Sequence, residues 1–273
     1  MAAIESALED HVLALTIDED AVDGLIHVEA LFAAPMEPST LRARIEAAGI
    51  QHPDISVETV SETDWVAASQ ASFPAFRAGR YYVHGSHLPT AGDDAVDLEV
   101  DAGAAFGTGE HESTRGCLLA LDELAEHHRV DRAHDMGCGT GILAMATAKT
   151  WQTTVVASDI DPSAVTTARA NTEKNAVGHL VQVIESDGYT HPIVGASAPY
   201  DLITANILAG PLVAMAPDLA DCLAPGGVAV LAGLLSRQAD RVVAAHEAHS
   251  LIFDNKIALE DWRTLILRRP TDK

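Results

Sequence analysis

The sequence predicts an α/β protein. It has a doubly wound, mostly parallel sheet with an antiparallel last strand, preceded by a small α+β domain. Three observations carry the prediction. From about residue 130 onward, short apolar runs alternate with helical patterns, the signature of βα units and a parallel sheet. A glycine-dense stretch at 135–142 (DMGCGTGI) falls between the first such strand and its helix. The last two apolar runs follow each other with no helix between them, which calls for an antiparallel hairpin.

In chain order, residues 11–17 and 25–32 alternate in polarity and read as strands. Leu41 and Ile45 lie four apart, Ser39 or Thr40 caps the start, and Gly49 ends a helix over 39–49. Residues 55–60 read as another strand. Residues 1–60 thus form the small α+β domain, near the lower size limit for stability alone. Residues 61–75 read as a linker helix capped by Thr63, and 76–273 hold the large sheet. Residues 81–83 make a short strand. Strands follow at 130–136, 153–158, 181–185, 201–205 and 228–232. Helices are expected at 142–149, 162–175, 211–223 and 236–249. Pro162 takes the first helical position behind Asp161 as cap, and Pro225-Gly226-Gly227 stops the third helix. Residues 251–257 and 263–267 form the closing hairpin.

Composition narrows the function. The 273 residues, of which 48% are hydrophobic, suffice for one large and one small domain. Acidic residues number 40 against 17 basic, a net charge of −23, which argues against a grip on phosphate backbones. Residues 1–10 carry Glu5, Glu9 and Asp10 and no basic region ahead of an apolar run, so no signal peptide is expected. No stretch approaches the roughly 20 apolar residues of a membrane helix. Cys117, Cys138 and Cys222 form no CxxC pair, which excludes a disulfide framework or zinc knuckle. The pairs His127-His128 and His246, His249 lack a third ligand, so no metal is expected. A cytoplasmic monomer is the expectation.

The glycine loop is the sharpest feature. Glycines at 137, 139 and 141 let the backbone turn tightly and approach a ligand. The spacing is D-x-G-x-G-x-G. It is neither the dehydrogenase G-x-G-x-x-G, because Ile142 stands at the third glycine, nor a P-loop. Asp135 would repel a pyrophosphate and attract an ammonium or sulfonium group. Asp159, at the end of the next strand, is placed to accept both ribose hydroxyls of an adenosine. This arrangement resembles the Rossmann-like class I methyltransferases that use S-adenosyl-L-methionine.

Three further segments sharpen the resemblance. Residues 103–114 read GAAFGTGEHEST, 201–211 read DLITANILAGP, and 223–235 read LAPGGVAVLAGLL. With Asp159-Ile160-Asp161-Pro162 and the pair Asn171, Asn175, this order resembles the PrmA family, methyltransferases of large-subunit ribosomal protein eleven. The resemblance covers the chain from about residue 60 onward, and residues 1–60 match the family's small recognition domain in size and element content. It implies that Gly137, Gly139, Gly141 and Asp135 line the cofactor's methionine part, that Asp159 holds its ribose, and that Thr114 contacts it. Asn206 would lie beside the transferred methyl, with Phe106 and His111 at the acceptor amine. The chain departs from the family pattern at Ala102, Ala104, Ser113 and His134.

Methyl transfer from a sulfonium is an in-line displacement, so positioning the acceptor is the main task. The acceptor amine must be neutral, and a lysine has a pKa near ~10.4, so water or a modest base suffices. Asn206 suits orientation because its carbonyls accept from N–H. His111 serves either as base or as a hydrogen-bonding anchor of its loop. Thr114 is both a helix cap and a cofactor contact. Asp161 reads as a cap, His134 as a core or edge histidine, and Cys138 as a packed side chain. Trp65 and Trp262 read as packing residues. The function expected is methylation of a basic ribosomal protein's lysine or N-terminal amines. The alternatives are a methyltransferase for another protein or small molecule, and a cofactor-binding ribosome-assembly factor without catalysis.

Overall fold

Apolar side chains alternate along the strands of the large sheet, and the alternation sorts them onto two faces. Val155 and Ala157 face one core and Val156 the other; Val228, Val230 and Ala232 against Ala229 and Leu231 repeat the pattern. Strands buried on both faces need helices on both sides. The computed structural model describes residues 12–19, 26–32, 37–47, 55–57, 74–101 and 112–271. The chain divides into two units, Met1–Trp65 and Val66–Lys273.

The first unit holds β1 (Val12–Glu19) and β2 (Ile26–Phe32), paired antiparallel. It also holds α1 (Pro38–Ala47), whose Leu41 is buried. Residues 55–57 carry no strand, and the rest of the strand read over 55–60 lies outside the described residues. Alternation marks a face, but a strand also needs a partner, and no described strand pairs with them. The expected linker helix falls outside the described residues as far as 73, and 74–75 have no regular structure.

The second unit opens with a three-stranded sheet of β3 (Phe76–Ala78), β4 (Tyr81–His84) and β5 (Val96–Glu99). β4 runs antiparallel to β3 and parallel to β5. After α2 (Glu112–Leu124) come β6 (Arg132–Met136), α3 (Ile142–Trp151), β7 (Thr154–Asp159), α4 (Pro162–Lys174) and β8 (Val181–Glu185). Then follow α5 (Pro192–Ser197), β9 (Tyr200–Asn206), α6 (Ala209–Ala214), α7 (Ala216–Cys222) and β10 (Leu223–Leu235). The chain closes with α8 (Ala239–Glu247), β11 (Ile252–Leu259) and β12 (Trp262–Arg268).

The seven-stranded sheet has the order β11-β12-β10-β9-β6-β7-β8. β6 to β10 pair parallel, and β12 lies antiparallel between β10 and β11. The chain lays β6, β7 and β8 outward, then returns to place β9 on the other side of β6. The carboxyl ends of β6 and β9 therefore flank the topological switch point, where open α/β sheets form their ligand crevice.

Two expected helices differ in detail. The helix read over 211–223 is α6 and α7, broken at Met215 because Pro217 in the first turn of α7 lacks an N–H and clashes with the preceding turn. The helix read over 236–249 begins as a 3-10 turn, Ser236–Gln238. No described helix is long and apolar enough to cross a membrane.

Candidate active site

The glycine loop needs its glycines. Gly137, Gly139 and Gly141 have φ of 70°, 53° and 81°, the left-handed region that side chains disfavour. A Cβ on Gly137 would overlap Cγ2 of Ile207, and one on Gly141 would press on Ala168 at 3.2 Å. The loop is tied to β7: the N–H groups of Gly137 and Cys138 both donate to the Ser158 carbonyl, at 2.8 and 3.0 Å.

α3 has no local side-chain cap. Asp135 supplies one from the end of β6. Its Oδ2 accepts from the N–H of Ala144 at 3.0 Å, and its Oδ1 accepts from the Thr204 hydroxyl at 2.7 Å. Asp135 thus spans the base of the loop and joins β6, α3 and β9. It is 1% exposed, and burial pushes its carboxyl up to about 7. Thr204 is the neighbour of Asp135 that reading by motif missed.

Asp159 stands at the end of β7, half-buried. Its Oδ2 accepts from the N–H of Gly139 at 2.8 Å and its Oδ1 from that of Asp161 at 3.0 Å. The carboxylate therefore braces the loop while keeping unused lone pairs. Asp161 is the cap of α4, with its Oδ1 accepting from the Ser163 N–H at 2.8 Å.

At the end of β9, Asn206 donates its Nδ2 to Oγ1 of Thr114 in the first turn of α2, at 3.0 Å. Thr114 is buried at 1% exposure. The Asn206 Oδ1 is buried, with no hydrogen-bond partner among the described residues. Its neighbour Ile207 is held on two sides. The Ile207 N–H donates to the Ala232 carbonyl at 3.2 Å, and Gly233, at φ 82°, lies so close that a Cβ would overlap the Ile207 backbone. The glycine in the third family segment has this packing reason, which sequence alone did not supply.

The structure brings Asp135, the three glycines, Asp159, Asn206 and Thr114 to the carboxyl edge around the switch point. Phe106 and His111 lie outside the described residues. His134 is fully buried, hydrogen-bonded to the Ser158 hydroxyl at 2.9 Å and stacked on Tyr200 at 5.2 Å; burial pulls it down to about 3, so it is neutral. Burial and the carboxylates of Asp135 and Asp159 push the Cys138 thiol up, which keeps it protonated and unreactive. Among the described residues, no group of three His, Cys, Asp or Glu side chains could hold a metal ion.

Comparison with known proteins identifies the family. The family model for ribosomal protein L11 methyltransferase (PrmA) matches residues 2–270. A ribosomal protein L11 methyltransferase of Bradyrhizobium diazoefficiens is 41% identical over 250 residues, covering 90% of this chain and 85% of the relative. One of Mesorhizobium japonicum is 39% identical over 271 residues, covering 98% and 93%. The crystal structure of a ribosomal protein L11 methylase from Lactobacillus delbrueckii subsp. bulgaricus superposes with a TM-score of 0.63 at 25% identity, over 72% of this chain and 97% of that one. The chain belongs to the ribosomal protein L11 methyltransferase family.

Proposed function

We propose that the chain transfers methyl groups from S-adenosyl-L-methionine to amines of ribosomal protein L11, on lysine side chains, the N-terminus or both. The observation that carries this reading is the Asn206 carboxamide. Its NH2 is held by Thr114, and its buried oxygen has no partner among the described residues. A buried acceptor in that position suits the N–H of an incoming amine. The names of the relatives supply the substrate.

The residues present fit the cofactor. Asp159 spends two of its roughly four acceptor positions on Gly139 and Asp161, leaving others for a ribose diol. Gly137, Gly139 and Gly141 would hold the methionine part, with the Asp135 carboxylate favouring a nearby cation. When bound, the cofactor supplies a methyl group already activated on a sulfonium sulfur. Asn206 accepts from the acceptor amine and turns its lone pair toward the crevice. Phe106 and His111 flank that amine by resemblance, and His111 either orients it or takes its proton. Positioning of this kind supplies most of the rate. The acidic chain meets a basic ribosomal protein, and we place the reaction in the cytoplasm.

Purified L11 incubated with methyl-labelled cofactor tests the reading. Mass spectrometry should find methyl groups on L11 amines, and Asn206→Ala should transfer them about a hundredfold more slowly. Unlabelled L11, or an unimpaired Asn206→Ala, would overturn it. Label on a different acceptor would favour another methyltransferase, and binding without transfer an assembly factor.

A further inference from the structure

Among the described strands β5 lies at an edge, paired with β4 alone. The N–H groups of Val96 and Val100 turn toward β4 and donate to the carbonyls of Arg80 and His84, each at 2.8 Å. Strand geometry then turns the backbone groups of residues 97, 99 and 101 the other way, where an edge leaves them unpaired. Side chains from two helices occupy that edge. Lys149 Nζ donates to the Asp97 carbonyl at 2.6 Å. Asn175 donates Nδ2 to the Glu99 carbonyl at 2.7 Å and accepts from the Glu99 N–H at 3.1 Å. Asn171 repeats this at Asp101, donating at 3.1 Å and accepting at 3.3 Å.

The spacing explains why two asparagines do this. Positions i and i+4 of a helix are separated by about 6 Å along its axis, and alternate strand residues by about 6.7 Å. A carboxamide offers the same donor and acceptor as a peptide group. Asn171 and Asn175 therefore act as a surrogate neighbouring strand.

Asn171 has one further bond. Its Nδ2 also donates to the Thr140 carbonyl in the glycine loop, at 2.9 Å. It is 1% exposed. One buried carboxamide thus joins the glycine loop to the backbone of Asp101, from which the chain continues toward Phe106 and His111 in sequence. We infer that Asn171 is a positioning residue that couples the glycine loop to the strand end at Asp101, so that cofactor held by the loop fixes the start of the acceptor-side segment. The inference rests on the proposed function for the identity of the two ligands.

Amide hydrogen exchange of the full chain, with and without S-adenosylhomocysteine, reads the coupling. In the wild type, ligand should slow exchange at Glu99 and Asp101 as well as across 137–141. In Asn171→Ala it should still slow the loop but no longer Asp101, with kcat for L11 down about tenfold and the cofactor KM within about threefold. Asn175→Ala touches the same edge without touching the loop and should keep the ligand effect at Asp101. In Asn171→Asp a carboxylate faces two carbonyls, and a gained proton restores a donor. Burial beside carbonyls favours that proton, so the variant's kcat relative to wild type should rise as pH falls, which decides the matter should the alanine variant fail to fold. Ligand protection of Asp101 persisting in Asn171→Ala, or a pH-flat ratio in Asn171→Asp, would overturn the coupling. Wild-type protein that leaves L11 unlabelled would strike the functional reading while the exchange result still stands.

Discussion

Asn206 donates its Nδ2 to the Thr114 hydroxyl at 3.0 Å across 92 residues of chain, and that bond decides which way the carboxamide faces. Its NH2 cannot accept, so fixing it on Thr114 leaves the oxygen on the other side, buried and without a partner among the described residues. An unsatisfied buried acceptor costs on the order of 1–3 kcal/mol, which a bound N–H offsets. Thr114→Val keeps the shape and removes the hydroxyl. It should lower kcat for L11 about ten- to a hundredfold while cofactor affinity changes less than about threefold, and Thr114→Ser should restore the rate. A cofactor Kd that rises in step with the loss of kcat would show instead that Thr114 acts through the cofactor.

Gly137 and Ile207 meet where the cofactor loop touches the residue after Asn206. A Cβ at 137 faces two separate penalties, the left-handed φ of 70° and overlap with Ile207 Cγ2. The first costs roughly 1–2 kcal/mol. Gly137→Ala should raise the cofactor Kd at least about tenfold, as such a cost implies. Ile207→Ala placed on top should recover only the overlap, leaving the backbone strain. Calorimetric titration of the single and double variants reads both terms. Complete recovery in the double variant would mean that the φ of Gly137 carries no cost.

The strands β6 to β12 were legible because each alternates or runs apolar long enough to show its period, and the carboxyl ends of β6, β7 and β9 carry the motifs. The strands β3 and β5 are about as short as β4 but lack its run of aromatic and β-branched residues, Tyr81-Tyr82-Val83, so that sheet was legible only at β4. The glycine loop, Asp159 and Asn206 were visible as residue types at set intervals. Their supports were not. Thr204 beneath Asp135, Ala232 and Gly233 against Ile207, and Asn171 beneath Thr140 are all joined through space. Asp135 shows the difference most clearly. Reading by motif turned its charge toward a ligand and did not show that its oxygens also accept from Ala144 and Thr204 inside the fold.

Asp135 also gives the protein a defined pH response. Burial is the main cause that lifts its carboxyl from the usual 3.8 to about 7; bonds from Thr204 and Ala144 oppose it, and the Asp159 charge adds to it. The folded state keeps the proton where the unfolded chain has already lost it. Stability from this group is therefore full below the unfolded value and falls as pH rises toward 7. Wild-type stability should decline between about pH 4 and 7 through this group, by at most roughly 4 kcal/mol. Asp135→Asn has no such proton to lose, so its deficit against wild type should shrink as pH rises. Urea unfolding at stepped pH measures both, and parallel curves would remove Asp135 as the cause. A cationic ligand favours the ionised carboxyl, so wild-type cofactor affinity should rise across the same range and that of Asp135→Asn should not.

The net charge of −23 makes a kinetic prediction of its own. A basic ribosomal protein approaching so acidic a chain is steered by the long-range field, and the field reaches about 30 Å at 0.01 M ionic strength but about 8 Å at 0.15 M. Steering acts on encounter, not on the bound complex. Raising salt over that interval should therefore lower kcat/KM for L11 about tenfold or more while kcat stays constant. If kcat/KM is flat or rises with salt, the acidity is no steering device. The small number of lysines, Lys149, Lys174, Lys256 and Lys273, would then point to a chain adapted to concentrated salt, because excess carboxylates with few ammonium groups keep a protein solvated where the field itself is screened.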